Sequence, residues 1–257
     1  MIMPQMRLFA LIASFAALIQ APSPARAATT TVAVAANFTD AAKELAALFK
    51  TKTGHEAILS FGSSGLFYTQ IKQGAPFHVL LSADAERPRN LVNEGFAVAD
   101  SLFTYAIGKL VLWSKDPHAI KGIETLKANA FSKISIADPN AAPYGLAAIE
   151  TLKALQIYDS VKPKIVTGTS IAQAFQFIQT GNAEIGFVAL AQLNSSSGGS
   201  RWNVPQDLYT EIRQDAVLLN NGAQNDAAKA FMAFLDSVEA RQMIERFGYV
   251  LAMKRGN

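Results

Sequence analysis

The sequence contains no cysteine, so disulfide frameworks and thiolate metal sites are excluded. It also lacks the residue through which many secreted binding proteins are attached to lipid. Its three histidines, His55, His78 and His118, do not stand at the spacing of a helical metal-ligand pair. No P-loop, G-x-S-x-G elbow or dinucleotide-binding glycine motif occurs. The usual sequence signals of metalloenzymes, hydrolases and nucleotide-dependent enzymes are therefore missing.

Long apolar runs are absent after the N-terminus. Leu8–Ile19 is almost wholly apolar, Arg7 precedes it, and the small residues of Ala25–Ala27 follow it. This three-part layout predicts a secretory signal peptide over residues 1–27, and the run is shorter than the ~20 residues that a membrane span needs. We expect cleavage after Ala27 and a free protein in the periplasm.

An excess of charge of one sign is also lacking. The chain has 23 basic and 20 acidic side chains, and two of the basic ones, Arg7 and Arg26, belong to the predicted leader. The mature chain is therefore almost neutral, which does not favour a nucleic-acid or membrane partner. Half of the residues are apolar, as in globular proteins, and the length allows one large core or two smaller ones.

Short β-type runs alternate with helical patterns, and this alternation starts again after about Ser101, which predicts two α/β units. The predicted strands are Thr31–Ala36, Ala57–Phe61, Val79–Ser82, Lys109–Trp113, Lys133–Ala137, Ile185–Leu190 and Ala216–Asn220. The predicted helices are Phe38–Lys50, Leu66–Gln73, Glu86–Asn93, Ile123–Asn129, Tyr144–Leu155, Ile171–Thr180, Asp226–Leu235 and Val238–Phe247. Asn194–Ser200 is predicted to be a flexible loop.

Four predicted loops consist of small or hydroxylic residues that precede a helix. They are Ala35–Asp40, Phe61–Gly65, Asp138–Gly145 and Val166–Ile171. Helix N-termini present unpaired N–H groups and partial positive charge, so they bind anions. None of the four contains Arg or Lys, so a bound dianion would be held by neutral donors. The alternative for each loop is that its polar residues only cap the helix.

Eight segments carry a resemblance to the molybdate-binding proteins of ABC importers, within the type II periplasmic binding protein superfamily. They are Val34–Ala41, Phe61–Leu66, Gln73–Pro76, Leu81–Asp84, Ala137–Pro139, Pro143–Gly145, Gly186–Leu190 and Arg246–Tyr249. The resemblance implies a two-lobed α/β fold with mixed sheets flanked by helices and a ligand cleft between the lobes. Lobe 1 would comprise residues 28–105 plus 215–257, and lobe 2 residues 106–214. The crossovers would lie near Thr104–Lys109 and Ile212–Val217.

The resemblance also implies the function. The protein would be a monomeric, non-enzymatic receptor that captures molybdate or tungstate without a cofactor. It would deliver the ligand to an ABC importer permease that works with a cytoplasmic ATPase. Closure of the two lobes around the ligand would shift the population toward the form that docks on the permease.

The ligand positions of the family fall on Asn37 with Ala36 beside it, and on Ser64 with Ser63 beside it. Tyr144 and Ile171 take the positions of backbone N–H donors. Molybdenum would be bound as the oxyanion by these residues, not by direct metal coordination.

Two positions depart from the family pattern. Some members place a tyrosine in the segment where this chain has Ala189. Because Tyr144 is the only tyrosine in the four loops, we expect its hydroxyl to replace the missing one. The second departure is Phe77 and His78 after Gln73–Pro76, where the family usually has a small residue and then an aspartate. We expect this change to alter hydrogen bonds near the strand start and not the ligand class.

Three alternatives remain open from the residues. The first is a sulfate or phosphate receptor of the same fold; a receptor for protonated phosphate would benefit from a buried acceptor, but Asp40 and Asp138 are expected to be structural. The second is a secreted hydrolase that uses Ser63 or Ser64, although no positioned base is evident. The third is a receptor for an organic solute, for which Trp113 and Trp202 are the available aromatic clamps.

Overall fold

The computed structural model describes residues 27–194, 196 and 198–252. All of the predicted signal peptide except Ala27 lies outside this range, as do Ser195 and Ser197 of the predicted flexible loop. Within the described ranges, no helix has both the length and the apolar character needed to cross a membrane.

Strands and helices alternate along most of the chain. The strands are β1 (Thr29–Ala35), β2 (Glu56–Gly62), β3 (Val79–Leu81), β4 (Phe103–Gly108), β5 (Leu110–Ser114), β6 (Ile134–Ala137), β7 (Ile165–Gly168), β8 (Ile185–Ala189), β9 (Ser200–Asn203) and β10 (Ile212–Leu218). The α-helices are α1 (Thr39–Thr53), α2 (Ser64–Lys72), α3 (Glu86–Asn93), α4 (Glu124–Ala128), α5 (Pro143–Ala154), α6 (Tyr158–Val161), α7 (Ile171–Gln179), α8 (Asp226–Leu235) and α9 (Val238–Arg246).

The strands form two five-stranded mixed sheets. The first has the order β2-β1-β3-β10-β4 and the second the order β7-β6-β8-β5-β9. In the first sheet, β1 pairs in parallel with β2 and β3, whereas β10 is antiparallel to β3 and β4. In the second, β6 is parallel to β7 and β8, and β5 is antiparallel to β8 and β9. The predicted two-lobed α/β fold with mixed sheets is confirmed.

The chain passes between the sheets at two places. It leaves the first sheet at the end of β4 and enters β5 after Lys109, and it returns between β9 and β10. The predicted boundaries at 105/106 and 214/215 therefore fall inside β4 and β10, which pair with each other in the first sheet. The division of the chain into lobes at those residues stays a prediction.

Each sheet has its own apolar core against its helices. In the first, Leu45 and Phe49 of α1 pack with Phe231 of α8, and the two phenyl rings meet edge to face at 5.2 Å. In the second, the buried core includes Ile136 and Phe187. Burial of apolar surface on both faces of each sheet explains why the central strands read as nearly continuous apolar runs.

Four strands differ from the sequence-based expectation. β4 lies where a crossover was expected, and β7 covers the first half of the predicted loop Val166–Ile171; pairing with β10 and β6, respectively, makes each a strand. The other two are β9 and β10. β9 begins at Ser200, where the predicted flexible loop ends, because pairing with β5 holds this short polar segment at a sheet edge. β10 begins at Ile212, four residues before the predicted strand, because its polar first half pairs with β4. Sheet pairing, and not apolar periodicity, determines both bounds.

Candidate oxyanion-binding site

The four predicted loops converge on one cavity. β1 and β2 are parallel neighbours in the first sheet, and β6 and β7 are parallel neighbours in the second, so the helices that follow them start at matching sheet edges. A small cavity of about 10 Å³ lies between these helix starts. Its lining residues are Ala35, Ala36, Asn37, Gly62, Ser63, Ser64, Ala83, Ala142, Pro143, Tyr144 and Ile171.

All six residues that the resemblance placed at the ligand line this cavity, and none of the described lining residues is charged. Ser64, Tyr144 and Ile171 are the first or second residues of α2, α5 and α7. The first amides of a helix have no carbonyl partner within the helix. Pro143 carries no N–H, so Tyr144 supplies the first N–H group of α5. The cavity therefore receives neutral donors from both sheets.

The two serines of the second loop have different partners. The Ser63 hydroxyl accepts a hydrogen bond from Leu66 N at 3.3 Å and caps α2. The Ser64 hydroxyl accepts from Ala83 N at 2.9 Å and is 1 % exposed. A hydroxyl has one proton in addition to its acceptor lone pairs. Ser64 therefore keeps a proton that it can donate into the cavity.

Asn37 does not cap α1 with its side chain. Its Nδ2 instead donates to Gln214 Oε1 at 2.9 Å and to the Tyr249 hydroxyl at 3.0 Å. Tyr249 donates back to the Asn37 carbonyl at 2.8 Å. The side chain of Asn37 is thus tied to β10 and to the segment after α9, while its backbone stays at the start of the helical turn Ala36–Phe38.

The Tyr144 ring is 1 % exposed and its hydroxyl lies at the junction of the two sheets. It accepts a hydrogen bond from Gln214 Nε2 at 3.2 Å. Gly108 makes room for it, because a Cβ there would lie 2.1 Å from the Tyr144 hydroxyl oxygen. Burial raises the pKa of the Tyr144 phenol well above its ordinary value, so the group remains a proton donor at neutral pH.

Backbone and side-chain contacts hold the two sides of the cavity together. Gly65 N of α2 donates to Ala141 O at 2.9 Å across the cleft. Arg87 of α3 donates to Asn140 O at 2.7 Å and also pairs with Asp84. The Arg87 cation at the cleft rim is thus matched by the Asp84 carboxylate.

The structure shows the contacts of the residues at the two positions that depart from the family pattern. Ala189 is fully buried at the end of β8, and its N–H donates to Gln192 Oε1 at 2.9 Å. His78 precedes β3 and accepts from Thr31 N at 3.2 Å, while the Phe77 ring packs edge to face on Phe67 at 5.4 Å. The change at His78 therefore forms its own local contacts at the start of β3.

The sequence did not predict a role for the buried polar residues next to the cavity, namely Gln214, Tyr105 and Tyr249. Gln214 is fully buried and Tyr105 is 2 % exposed, and the Tyr105 hydroxyl lies 3.1 Å from Gln214 Oε1 and from Ser82 O. Tyr249 belongs to a segment that carried the resemblance, but no role had been expected for it. Nothing in the local sequence distinguishes a buried glutamine in a polar half-strand from an exposed one.

A family match accounts for this arrangement. The family described as bacterial extracellular solute-binding protein matches residues 30–250. The chain belongs to this family. Its described members are solute-binding proteins and not enzymes, as expected from the sequence.

Within this family, the chain is similar to proteins that are named for molybdate binding. This solute-binding protein is 55 % identical over 227 residues to the molybdate-binding protein ModA of Rhodobacter capsulatus, covering 88 % of this chain and 90 % of the relative. It is 52 % identical over 231 residues to ModA of Azotobacter vinelandii, covering 88 % and 92 %. The solved structure of the Azotobacter vinelandii periplasmic molybdate-binding protein matches with a TM-score of 0.84 and 40 % identity, over 87 % of this chain and 100 % of that one.

Proposed function

We propose that this protein captures molybdate or tungstate and delivers it to an ABC importer. The observation that carries the proposal is the cavity in which the starts of four helices meet without a charged side chain. Two relatives, at 55 % and 52 % identity, are molybdate-binding proteins, which supports the same ligand class.

The proposed contacts are hydrogen bonds from neutral donors. Backbone N–H groups at Ala36, Asn37, Tyr144 and Ile171 would point at the oxyanion oxygens, since each lies at the start of a helical segment. The hydroxyls of Ser64 and Tyr144 would donate their remaining protons, and Ser63 would contribute from the α2 cap. Preorganised donors in a water-excluded cavity stabilise a dianion without a salt bridge.

The alternatives are less well supported. Hydrogen phosphate needs an acceptor for its proton, and the described lining residues offer no carboxylate. A hydrolase that uses Ser64 needs a base, but the partner of its hydroxyl is the Ala83 amide, which is a donor. Trp113 is buried against Phe175 with ring centroids at 5.1 Å, so it packs in the core and is not a clamp for an organic solute. Sulfate differs from molybdate mainly in size and is the main competitor.

The site of action follows from the family. Members are extracellular solute-binding proteins, and we place this one in the periplasm after removal of residues 1–27. Its partner would be the permease of the importer, which acts with a cytoplasmic ATPase, and it would meet that partner as a monomer. The closed form, in which α2 meets the loop before α5, would be the form that the permease accepts.

Thermal-shift and calorimetric titrations with molybdate, tungstate, sulfate, phosphate and vanadate test the ligand. We expect molybdate and tungstate to raise the melting temperature of the mature chain, since a ligand that binds only the folded state stabilises it by about 2.7 kcal/mol at a hundredfold excess over Kd. Equal stabilisation by sulfate would refute the selectivity, and no response to any of the five would refute the function.

A further inference from the structure

A buried hydrogen-bond network joins the two sides of the cavity, and its centre is Gln214. This side chain is fully buried on β10, where the pairing with β4 shifts register. Its Oε1 accepts from Asn37, which belongs to the first-sheet side of the cavity, and its Nε2 donates to Tyr144 of the second-sheet side. Gln214 itself is not one of the lining residues.

The direction of each hydrogen bond follows from one backbone carbonyl. The Asn37 carbonyl can only accept, so the Tyr249 hydroxyl spends its single proton there. That hydroxyl must then accept from Asn37 Nδ2, which orients the Asn37 amide and places Nδ2 against Gln214. Gln214 must present its oxygen to Asn37 and its nitrogen to Tyr144. The Tyr144 hydroxyl is therefore an acceptor in this network, and its own proton is left over.

Two consequences concern the cavity. The Asn37 amide nitrogen donates to Gln214 and Tyr249 and also acts on the Tyr144 phenol, so Asn37 has only its backbone N–H to offer a ligand. Tyr144 lines the cavity, and the proton of its hydroxyl has no partner in the network. Resting on the proposed oxyanion function, we propose that Gln214 is a positioning residue that holds the Tyr144 hydroxyl as a donor to the oxyanion.

This role also bears on specificity. With Tyr144 fixed as a donor, the described cavity presents donors to the ligand and suits a fully deprotonated oxyanion, which only accepts. An oxyanion that keeps a proton would need an acceptor at this position. Gln214 would thus select by protonation state without touching the ligand.

The test combines Gln214→Met with Tyr144→Phe in a double-mutant cycle, read by calorimetric titration with molybdate. Each single variant is expected to weaken binding by about tenfold or more, because each removes a hydrogen bond to a charged group or its alignment. The double variant should bind no more weakly than Tyr144→Phe alone, since Gln214 acts through that hydroxyl. Additive losses, or wild-type affinity in Gln214→Met, would overturn the inference.

In Gln214→Glu, the pH dependence of molybdate affinity distinguishes a positioning role from a purely structural one. The ionised carboxylate only accepts, so Tyr144 would turn its proton toward it and away from the ligand. The protonated carboxyl group has one donor and one acceptor and restores the original pattern. Affinity of this variant should therefore rise as pH falls through the pKa of the introduced group, which burial raises above the ordinary ~4.3 of glutamate, over a range where wild-type affinity is flat.

The ionisable groups near this network are common to both proteins, so the difference between the two pH profiles isolates the introduced carboxyl group. They are Tyr105, Tyr144, Tyr209, Tyr249, Asp40, Asp84, Asp215, Arg89 and Arg213. A parallel pH dependence in wild type and variant would contradict the inference.

Gln206 is the matched control. It is a half-buried glutamine that accepts from Lys109 and donates to Tyr209 O, and it lies outside the cavity lining. Gln206→Met and Gln206→Glu should leave the affinity and its pH profile unchanged. If the wild-type protein binds molybdate but the Gln214 variants behave like the Gln206 variants, this inference alone fails. If the wild type does not bind, the proposed function fails and the inference falls with it.

Discussion

At the scale of single residues, the neighbouring serines Ser63 and Ser64 have hydroxyl groups with different hydrogen-bond partners. Ser63 and Ser64 are adjacent and both nearly buried, yet only Ser63 accepts from an amide of its own helix. Ser64 reaches across to Ala83, two residues after the end of β3, and its proton stays available. The two adjacent hydroxyls therefore have different amide partners, one within α2 and one after β3.

We predict that Ser64→Ala weakens molybdate binding by ~10–100-fold, because a hydrogen bond to a charged group contributes roughly 1.5–3 kcal/mol. Isothermal titration calorimetry measures the loss. Ser237→Ala is the control, because Ser237 caps α9 by accepting from Ala240 N at 3.2 Å and is not among the residues that line the cavity. It should lower stability by ~1 kcal/mol without changing affinity, and an equal affinity loss in both variants would contradict the assignment.

The residues proposed to contact the ligand were easier to predict than those proposed to orient them. Ala36, Asn37, Ser63 and Ser64 stand in short motifs at strand ends, where helix geometry alone implies free donors. Gln214 is more than 170 positions from Asn37 in sequence, and their contact arises only when β10 inserts beside β3. Long-range pairing of this kind leaves no periodic signal.

At the scale of elements, the close approach of α2 to the loop before α5 depends on a missing side chain. A Cβ at Gly65 would lie 2.9 Å from the Ala141 Cα, where the backbone has little freedom to move. Because the two segments belong to different sheets, this contact exists only when the two sides of the cleft are together.

We predict that Gly65→Ala weakens molybdate binding by about tenfold while the ligand-free protein keeps or gains stability. Overpacking of this backbone contact costs roughly 1–3 kcal/mol, whereas alanine is favoured over glycine in a helix by up to ~1 kcal/mol. Titration calorimetry and thermal unfolding of the ligand-free variant measure the two effects separately. Unchanged affinity, or a clear loss of stability without ligand, would count against an interlobe role for Gly65.

Element types were predictable where apolar periodicity was strong, as in α8 (Asp226–Leu235), whose predicted bounds are confirmed. Prediction failed for β9, a short polar edge strand, because its structure depends on its neighbour β5 and not on its own residues. The starts of the four site helices were predictable to within two residues for a different reason: small residues and prolines mark chain turns independently of burial.

At the scale of the whole molecule, three buried tyrosines link the site to alkaline stability. Burial raises the pKa of Tyr105, Tyr144 and Tyr249 well above the ordinary value of 10. The unfolded chain loses these protons near pH 10, while the folded chain holds them, so the free energy of unfolding falls as pH rises above ~10.

We therefore predict that, of the six tyrosines, these three ionise only when the protein unfolds. Phenolate absorbance followed together with far-ultraviolet circular dichroism should show a late step in absorbance that coincides with loss of helical signal. Molybdate should move this step to higher pH, because it stabilises the folded form. Full phenolate absorbance while the helical signal persists would contradict the prediction.

The uncharged lining of the cavity has a further consequence, for the electrical character of the loaded protein. Without its predicted leader the chain is close to neutral, with the 23 basic side chains reduced by Arg7 and Arg26 against 20 acidic ones. No lining side chain offsets the charge of a bound dianion, and phenols with raised pKa values keep their protons. Loading thus reverses the sign of the net charge, so the full receptor migrates toward the anode and the empty one does not. The charge of the bound dianion therefore contributes to the electrostatic potential at the protein surface.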